Sequence, residues 1–297
     1  MLARPLMLAV AAALLLFSTG CSAEERAGAK PPPSTAYDKA LHDALPADVR
    51  DSGVLRVATD ASYAPASSFA ADGRTIVGFE PDLGAALGRV LGIELRFTQR
   101  KFSGLLTDIV DDRVDLLMSA MTDTRQRQRK VDFINYFSAG TAILVQRGNP
   151  VGITDLARLC GQTVAVEDGT TQVDLLRRSQ KHCEKEPIVV RKYDTNADAL
   201  VQLRTGRAAA VLTDYPPAAH LASDPATGAR FQLASTLQYE PGLYGIGVGK
   251  GRPQLRNALE GALDRLIRSG EYVRILEKWD VQDGALKQSS VNGGAGF

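Results

Sequence analysis

Short apolar segments that are typical of β-strands alternate with amphipathic helical segments, and this order occurs twice along the chain. The first series has strand segments at 54–59, 93–98 and 115–121, separated by helical segments at 81–92 and 104–114. The second series has strands at 163–167, 187–193 and 208–213, separated by helices at 171–180 and 196–206. Strand–helix–strand alternation favours a parallel sheet with helices on both faces. We therefore predict an α/β fold built from two doubly wound βαβ lobes.

Two extended segments, near 140–146 and 238–244, link the two series and predict a pair of hinge strands. Gly140 and Gly242 supply the backbone freedom that a hinge requires. Leucines then recur at helical spacing and predict a helix that returns to the first lobe: Leu255, Leu259, Leu263 and Leu266. We predict lobe 1 at 53–143 plus 243–282, lobe 2 at 144–242, and a disordered tail at 283–297, which is poor in apolar residues.

Polar side chains follow four of these strands, at the point where each strand ends. Asp60 and Tyr63 follow the first strand, Thr122 and Arg127 the third, Thr170 and Thr171 the fourth, and Asp214 the sixth. In open α/β sheets, ligands bind outside the carboxyl ends of the strands, so these residues can converge on one small molecule. An arginine and an aspartate in one cleft suit a ligand that carries a carboxylate and an ammonium group, which is an amino acid.

The first twenty residues are typical of a secretory signal peptide. Arg4 precedes an apolar core at 6–17, and small residues precede Cys21. The segment 18–21 resembles a bacterial lipobox, in which the cysteine is acylated, although Ser18 replaces the usual aliphatic residue. An ordinary secretory signal with a chance cysteine is the alternative. We predict a signal peptide at 1–20, a lipid anchor at Cys21 and a tether at 21–52, which hold the protein at the outer face of the cell membrane. A short helix from Tyr37 to Leu45 is the alternative for that part of the tether.

Charge and composition argue against several classes of function. The chain has 35 Lys+Arg and 34 Asp+Glu, and removal of Arg4 with the leader balances the two. A neutral chain gives no electrostatic basis for nucleic-acid binding. We assign Arg125, Arg129 and Lys130, from the basic run 124–130, to a solvated helix face. The sequence has neither a zinc-ligand spacing nor a phosphate-binding glycine loop, so we expect no metal and no other cofactor.

Two cysteines remain after Cys21, and an even pair in an exported chain favours a disulfide. The bond would join Cys160 to Cys183 and contribute ~3 kcal/mol by closing a loop. Two unpaired buried thiols are the alternative.

Six sequence motifs follow one another in the order found in one known family. They are GFEPDLGAALGRVLG (78–92), FSGLL (102–106), TDTRQRQRKVDF (122–133), EDGTTQ (167–172), VLTDYPP (211–217) and YGIGVGKG (244–251). Over about 53–280 the chain resembles the bacterial extracellular solute-binding proteins of family 3, the polar amino-acid receptors of ABC importers. Pro81 stands where that family usually has an aliphatic residue. The resemblance implies a type II periplasmic-binding fold, a monomer, and a permease with its ATPase as partner.

The resemblance also implies which residues hold the charged groups of the ligand. Arg127 would grip the α-carboxylate with two parallel hydrogen bonds, and Thr122 would add a hydroxyl. Thr170 and Thr171 open a helix whose free amides also favour an anion. Asp214 would accept the α-ammonium group. The alternatives are a surface role for Arg127 and helix capping by the threonines and Asp214.

The resemblance places four further residues around the ligand side chain. Tyr63 and Phe102 would sandwich it, Asp60 would cap its far end, and Ala120 belongs to the same set of lining residues. Packing in the hydrophobic core is the alternative for Phe102, and a turn at the strand end is the alternative for Asp60.

Glu167 suggests the chemical class of the ligand. It ends the strand before the threonine turn, where glutamine-binding relatives have a lysine and histidine-type relatives an apolar residue. Together with Asp60 it would place two carboxylates near the ligand side chain, and desolvated unpaired carboxylates are costly. We therefore predict a basic amino acid (arginine, lysine or ornithine). Glutamine is the alternative, and it gains weight if Glu167 points to solvent.

Two other classes of function are compatible with these motifs. Some dehydratases resemble this fold, and Glu167 or Asp168 could act as an acid on prephenate or arogenate. A sensor that reports its ligand to a separate receptor is also compatible. We predict a binding protein and not an enzyme, because the aromatic pair and Asp214 suit retention of an amino acid better than expulsion of a leaving group.

Overall fold

The computed structural model describes residues 35–294. The predicted signal peptide, Cys21 and the part of the predicted tether at 21–34 lie outside the described residues. Within 35–294, no helix combines the length and the apolar composition needed to cross a membrane.

The longest helices of the described chain are α3 and α9, and both flank the first series of strands. The helices are α1 (Lys39–Asp43), α2 (Ala47–Ser52), α3 (Phe79–Leu91), α4 (Leu105–Val110), α5 (Arg125–Gln128), α6 (Thr171–Ser179), α7 (Asn196–Arg204), α8 (Tyr215–Ser223), α9 (Pro253–Arg268) and α10 (Glu271–Lys278). Single 3₁₀ turns lie at Phe102–Gly104, Leu156–Leu159, Gln180–His182 and Gln282–Gly284.

The strands range from two to 16 residues in length. They are β1 (Val54–Thr59), β2 (Ser62–Tyr63), β3 (Ser67–Phe69), β4 (Ile76–Val77), β5 (Glu94–Gln99), β6 (Leu116–Leu117), β7 (Val131–Gln146), β8 (Thr163–Glu167), β9 (Val189–Tyr193), β10 (Ala210–Asp214), β11 (Phe231–Leu233), β12 (Tyr239–Gly249) and β13 (Ser290–Val291).

The main sheet confirms the predicted fold class. Its strand order is β5-β1-β6-β12-β7-β10-β8-β9. At one end β1 pairs in parallel with β5 and β6, and at the other end β8 pairs in parallel with β9 and β10. Two parallel βαβ lobes therefore lie on either side of the central antiparallel pair β7 and β12.

Each lobe buries its own apolar residues. In lobe 1 the predicted helical stripe of α9 is fully buried against α3, which contributes Leu83, Leu87 and Val90. In lobe 2 the core consists of β8 and β10 side chains packed on Leu176 of α6. Burial of a large aliphatic side chain contributes ~1.5–3 kcal/mol to the stability of the fold. The core of each lobe therefore stabilises the register of its own strands.

Strands β7 and β12 run through both lobes. Along β7, side chains as far as Ala139 join the core of lobe 1, and those from Ala142 onward join the core of lobe 2. The register of the β7–β12 pair shifts between Tyr239 and Gly242, beside Gly140. A Cβ at Gly140 would lie 2.8 Å from Cβ of Gln238, so a side chain there would force the two strands apart.

The predicted tether is wrong for residues 35–52. This segment forms α1 and α2 and packs on lobe 1, with Leu45 and Val49 each 2% exposed. Because the segment is rich in charged residues, these two well-spaced apolar residues give only a weak signal in the sequence.

The predicted disordered tail is wrong for residues 283–294. A 3₁₀ turn and β13 follow α10, and β13 pairs antiparallel with β7. Polar contacts hold this segment. For example, Ser289 donates from its backbone N and its Oγ to Oδ1 of Asp264. A prediction based on apolar content does not detect such contacts.

The predicted disulfide is confirmed, because Cys160 and Cys183 are bonded with their Cα atoms 5.4 Å apart. The bond links the residue after the 3₁₀ turn Leu156–Leu159 to the residue after the 3₁₀ turn Gln180–His182. In the basic run, Arg125, Arg129 and Lys130 are exposed as predicted, whereas Arg127 is buried.

Candidate functional site

The four predicted strand ends meet at one cavity between the two lobes. Lobe 1 contributes the residues after β1 and β6, and lobe 2 contributes the residues after β8 and at the end of β10. The cavity is small, about 10 Å³, because the two lobes lie close together across it. All ten residues predicted to bind the ligand line it: Asp60, Tyr63, Phe102, Ala120, Thr122, Arg127, Glu167, Thr170, Thr171 and Asp214.

Arg127 enters the cavity from the single turn of α5. Thr124 caps this turn by accepting a hydrogen bond from the backbone N of Arg127 at 3.3 Å. The guanidinium group donates to the carbonyl of Thr122 at 2.6 Å and, across the cleft, to the carbonyl of Gly169 at 2.9 Å. It also lies 5.7 Å from the ring centroid of Phe102. Burial lowers the pKa of Arg127 to about 10, so the group remains charged at neutral pH.

Asp214 faces the same cavity from the end of β10. Asp214 directly precedes α8, but its carboxylate makes no capping hydrogen bond to that helix. Instead Oδ1 accepts from Nε2 of Gln172 at 2.6 Å and Oδ2 accepts from the hydroxyl of Tyr63 at 3.1 Å. Burial raises the pKa of Asp214 to about 6, against the opposing effect of these hydrogen bonds. An ammonium group would stabilise the charged form.

Asp60 and Glu167 place two carboxylates on opposite walls of the cavity. They are 2% and 4% exposed, so Glu167 is not directed to solvent. Oδ1 of Asp60 accepts from the backbone N of Ser62 at 2.9 Å, but Oδ2 of Asp60 and Oε1 of Glu167 have no partner. Burial raises the pKa of Glu167 well above its usual value, and the charge of Asp60, direct contact with the Asp60 carboxyl group and the charge of Asp214 raise it further.

The threonine turn lies where α6 begins. Thr170 occupies the capping position without a side-chain capping bond, and its Oγ1 donates to the carbonyl of Glu167 at 2.8 Å. Thr171 and Gln172 form the first turn of the helix and also line the cavity. The free amides and positive end of a helix favour an anion at this position.

The cavity also depends on three residues that the sequence analysis did not assign. Ser119 and Gln172 line it, and each lies next to a predicted residue in the sequence, Ala120 and Thr171. Glu80 is fully buried behind it and accepts a hydrogen bond from the backbone N of Ala120 at 2.6 Å. Ala120 has a φ of +46°, a conformation that a non-glycine residue rarely adopts, and this bond holds it there. The motif at 78–92 contains Glu80 and could have indicated it.

The described residues show no group suited to a metal ion. Among residues 35–294, no three His, Cys, Asp or Glu side chains lie close enough together to coordinate one.

Known proteins resemble the chain over almost the whole described region. The sequence model of the family "Bacterial extracellular solute-binding proteins, family 3" matches residues 55–282. The arginine-binding protein ArgT of Corynebacterium glutamicum is 30% identical over 254 residues, which cover 84% of this chain and 81% of that protein.

Two solved structures are similar in fold and in sequence. An ancestral arginine-binding protein bound to arginine has a TM-score of 0.69 and 32% identity, covering 76% of this chain and 98% of that one. The ancestral amino-acid-binding protein AncCDT-1, described as a precursor of cyclohexadienyl dehydratase, has a TM-score of 0.69 and 32% identity, covering 78% of this chain and 97% of that one.

Proposed function

Because the chain belongs to the bacterial extracellular solute-binding proteins of family 3, we propose that it captures a basic amino acid for an ABC importer. In this function the protein binds its ligand outside the cytoplasm and delivers it to a membrane permease with its ATPase. The similarity to an arginine-binding protein and to a structure bound to arginine supports arginine as the first ligand to test.

The observation that carries this proposal is the pair of unpartnered carboxylate oxygens in the cavity. Oδ2 of Asp60 and Oε1 of Glu167 are buried and accept no hydrogen bond. Leaving a buried acceptor unsatisfied costs ~1–3 kcal/mol, and more when it is charged. A guanidinium or ammonium group at the end of a ligand side chain would satisfy both oxygens. A neutral amide could donate to them but could not compensate their charge.

The other end of the cavity suits the amino-acid backbone. Arg127, Thr122 and the start of α6 would hold the α-carboxylate, and Asp214 would hold the α-ammonium group. Tyr63 and Phe102 would lie against the side chain between these ends. Asp60 directly follows β1 and Glu167 is the last residue of β8, whereas Arg127 lies beyond β6.

We infer that the two lobes move against each other, with the division in β7 between Ala139 and Ala142 and not at the predicted residue 143. Three contacts support this division because they cross the cleft: Arg127 with Gly169, Tyr63 with Asp214, and Lys101 with Asp194, whose Nζ and Oδ2 are 2.5 Å apart. A ligand shifts the balance between open and closed forms only through its higher affinity for one of them. Contacts from both lobes would provide that difference, and the closed form would be recognised by the permease.

Titration calorimetry of the purified protein with the common amino acids tests this function. Arginine, lysine and ornithine are expected to bind, and glutamine at least tenfold more weakly, because it cannot neutralise the two carboxylates (about 1.4 kcal/mol for a factor of ten). Agmatine, which lacks the α-carboxylate of arginine, serves as the matched control and is expected to bind weakly. Tight binding of glutamine without binding of arginine or lysine would contradict the proposal.

A dehydratase is the second candidate, and the buried acid Glu167 is the observation that favours it. A carboxyl group with a raised pKa can act as a general acid, and AncCDT-1 relates this fold to such an enzyme. We propose binding without catalysis, since Glu167 faces a second acid and not a site for a leaving group. Incubation with prephenate and with arogenate is expected to give no phenylpyruvate and no phenylalanine, and turnover of either would favour the enzyme.

The lipid anchor at Cys21 remains part of the proposed function. Acylation would hold the receptor at the outer face of the membrane, where the permease is located. Metabolic labelling with a palmitate analogue is expected to mark the native chain and not a Cys21→Ser variant. Equal labelling of the two would exclude Cys21 as the acylated residue.

A further inference from the structure

A short C-terminal segment lies directly behind the turn that carries Arg127. This segment, Ser289–Gly294, is called the C-terminal strap below. Its β13 residues pair with Asn135 and Ile134 of β7. The family match ends at residue 282, so the strap is a feature of this chain beyond the matched region.

The strap contacts the ligand-binding turn through Asp123, which is 1% exposed. Oδ2 of Asp123 accepts from the backbone N of Gly294 at 2.9 Å and from Nδ2 of Asn135 at 3.0 Å. Its Oδ1 accepts from Nε2 of Gln128 at 2.8 Å. The same Nε2 lies 3.2 Å from the carbonyl of Asn292 and 3.3 Å from that of Gly294.

These contacts enclose the residues that support Arg127. Asp123 lies between Thr122, whose carbonyl accepts from the guanidinium group, and Thr124, which caps the turn. Gln128 directly follows Arg127. The strap therefore fixes the turn on both sides of the arginine. The packing is close, because a Cβ at Gly294 would lie 1.9 Å from the carbonyl oxygen of Asp123.

The strap itself is held firmly to lobe 1. The buried Asn135 accepts at Oδ1 from the backbone N of Gly293 and from Oγ of Ser290, both at 2.9 Å. The side chain of Asn292 accepts from the backbone N of Phe133 at 2.9 Å and donates to Asp132 at 3.0 Å. A segment held by several partly buried hydrogen bonds can position its neighbour without moving.

We propose that the C-terminal strap is a positioning element that holds Arg127 in the geometry required to bind the ligand carboxylate. The strap contacts no ligand and acts through Asp123 and Gln128. The inference rests on the proposed function where it is tested by ligand affinity. The experiment therefore also includes a measurement that needs no ligand.

The experiment compares three variants of the full chain with the wild type. One lacks residues 289–297, one carries Gly294→Val, and the control carries Gly251→Ala, where a Cβ would meet no atom within 4 Å. Both strap variants are expected to bind arginine about tenfold more weakly, as for loss of one or two buried hydrogen bonds, and the control is expected to match the wild type. If the deletion variant does not fold, the arginine affinity of Gly294→Val alone tests the proposal.

A double-mutant cycle separates positioning from a general loss of stability. Each strap change is repeated in an Arg127→Lys background, where the geometry of the guanidinium group no longer matters. A positioning role predicts that the tenfold effect falls below about threefold there. An equal effect in both backgrounds would overturn the proposal.

Amide hydrogen exchange of the ligand-free protein supplies the independent measurement. Both strap variants are expected to accelerate exchange in 122–128 and to leave 163–180 in lobe 2 unchanged. Unchanged exchange in 122–128 would overturn the strap proposal even if no ligand bound. Failure of the wild type to bind any basic amino acid would instead contradict the proposed function.

Discussion

The hydroxyl oxygen of Tyr63 lies 3.1 Å from Oδ2 and 2.9 Å from the backbone N of Asp214, although the two residues belong to different lobes. Oγ1 of Thr213 also donates to this hydroxyl at 2.9 Å. One phenol group therefore joins the β2 side of the cleft to the end of β10. It also holds the carboxylate that would receive the ligand ammonium group.

Removal of this hydroxyl should weaken the closed form. Tyr63→Phe keeps the ring against the ligand but loses the bonds across the cleft, so affinity for arginine is expected to fall about threefold to tenfold. Small-angle scattering should show a larger radius of gyration for the ligand-free variant. Tyr37→Phe changes an exposed tyrosine outside the cavity and serves as the control. Unchanged affinity and radius would show that the contact does not stabilise closure.

Loss of the buried guanidinium group should have the largest effect of any single change. Arg127→Ala is expected to reduce affinity about 100-fold or more, because removal of one partner from a buried charge pair costs ~3–5 kcal/mol. Arg125→Ala, two residues away on the exposed face, is expected to have no effect. Calorimetry on both variants checks this prediction, and retained micromolar binding by Arg127→Ala would contradict the site.

Neutral replacements of the two carboxylates should change the preferred ligand. The double variant Asp60→Asn/Glu167→Gln is expected to lose arginine affinity by about 100-fold, at ~1.5–3 kcal/mol for each charge-assisted hydrogen bond. Its affinity for glutamine should stay constant or rise, because two unpaired buried charges have been removed. Competition calorimetry with the two amino acids measures the ratio. A parallel fall for both ligands would show general damage to the site.

Arginine binding should weaken as the pH falls. The pKa of Asp214 is raised to about 6, so this group gains a proton between pH 7 and pH 5, and the pKa of Glu167 is raised well above its usual value. A cationic ligand requires the ionised forms, and its affinity should drop roughly tenfold per pH unit for each group titrated below its pKa. Calorimetry in buffers with different ionisation enthalpies would detect the protons released on binding.

The raised pKa values of Asp214 and Glu167 should make the ligand-free protein more stable at low pH, whereas they weaken arginine binding there. A carboxyl group with a raised pKa contributes stability in its protonated form, and this contribution is lost as the pH rises through that pKa. The unfolding temperature without ligand should therefore decrease from pH 5 to pH 7.5, and arginine should reverse the trend. Glu167→Gln serves as the control and is expected to reduce the change of unfolding temperature with pH, both without and with arginine.

The disulfide should affect stability and leave binding unchanged. Cys160→Ala/Cys183→Ala removes a bond that spans 23 residues, and the free energy of unfolding is expected to fall by ~3 kcal/mol. Neither cysteine lines the cavity, so arginine affinity should stay within about twofold. Denaturant unfolding and calorimetry measure the two quantities. A large loss of affinity would show that lobe 2 depends on the bond for its binding geometry.

The sheet and the walls of the cavity could be predicted from sequence because both follow from regular spacing. Strand–helix alternation determines which strand ends meet, and this rule places residues as distant as Asp60 and Asp214 around one cavity. The orientation of Glu167 was less predictable, because a residue at the last position of a strand can turn to either side. Its pKa is raised in part by Asp60 and Asp214, which are distant in sequence.

The polar supports of the site gave no periodic signal. Glu80 acts through one hydrogen bond to the backbone of Ala120, and the C-terminal strap acts through Asp123 and Gln128. Such contacts depend on where a carboxylate or an amide lies in three dimensions. Apolar patterning detects neither such contacts nor short polar helices, so it predicts a disordered tail in place of the strap and a tether in place of α1 and α2.

The placement of Asp60 and Glu167 on opposite lobes has a consequence for the transport cycle. When the lobes close without a ligand, the two carboxylates approach each other, and they either repel each other or one of them takes up a proton. Closure of an empty receptor is therefore penalised, whereas a positively charged cargo removes the penalty. The same two carboxylates would in this way select a cationic ligand and disfavour closure without it.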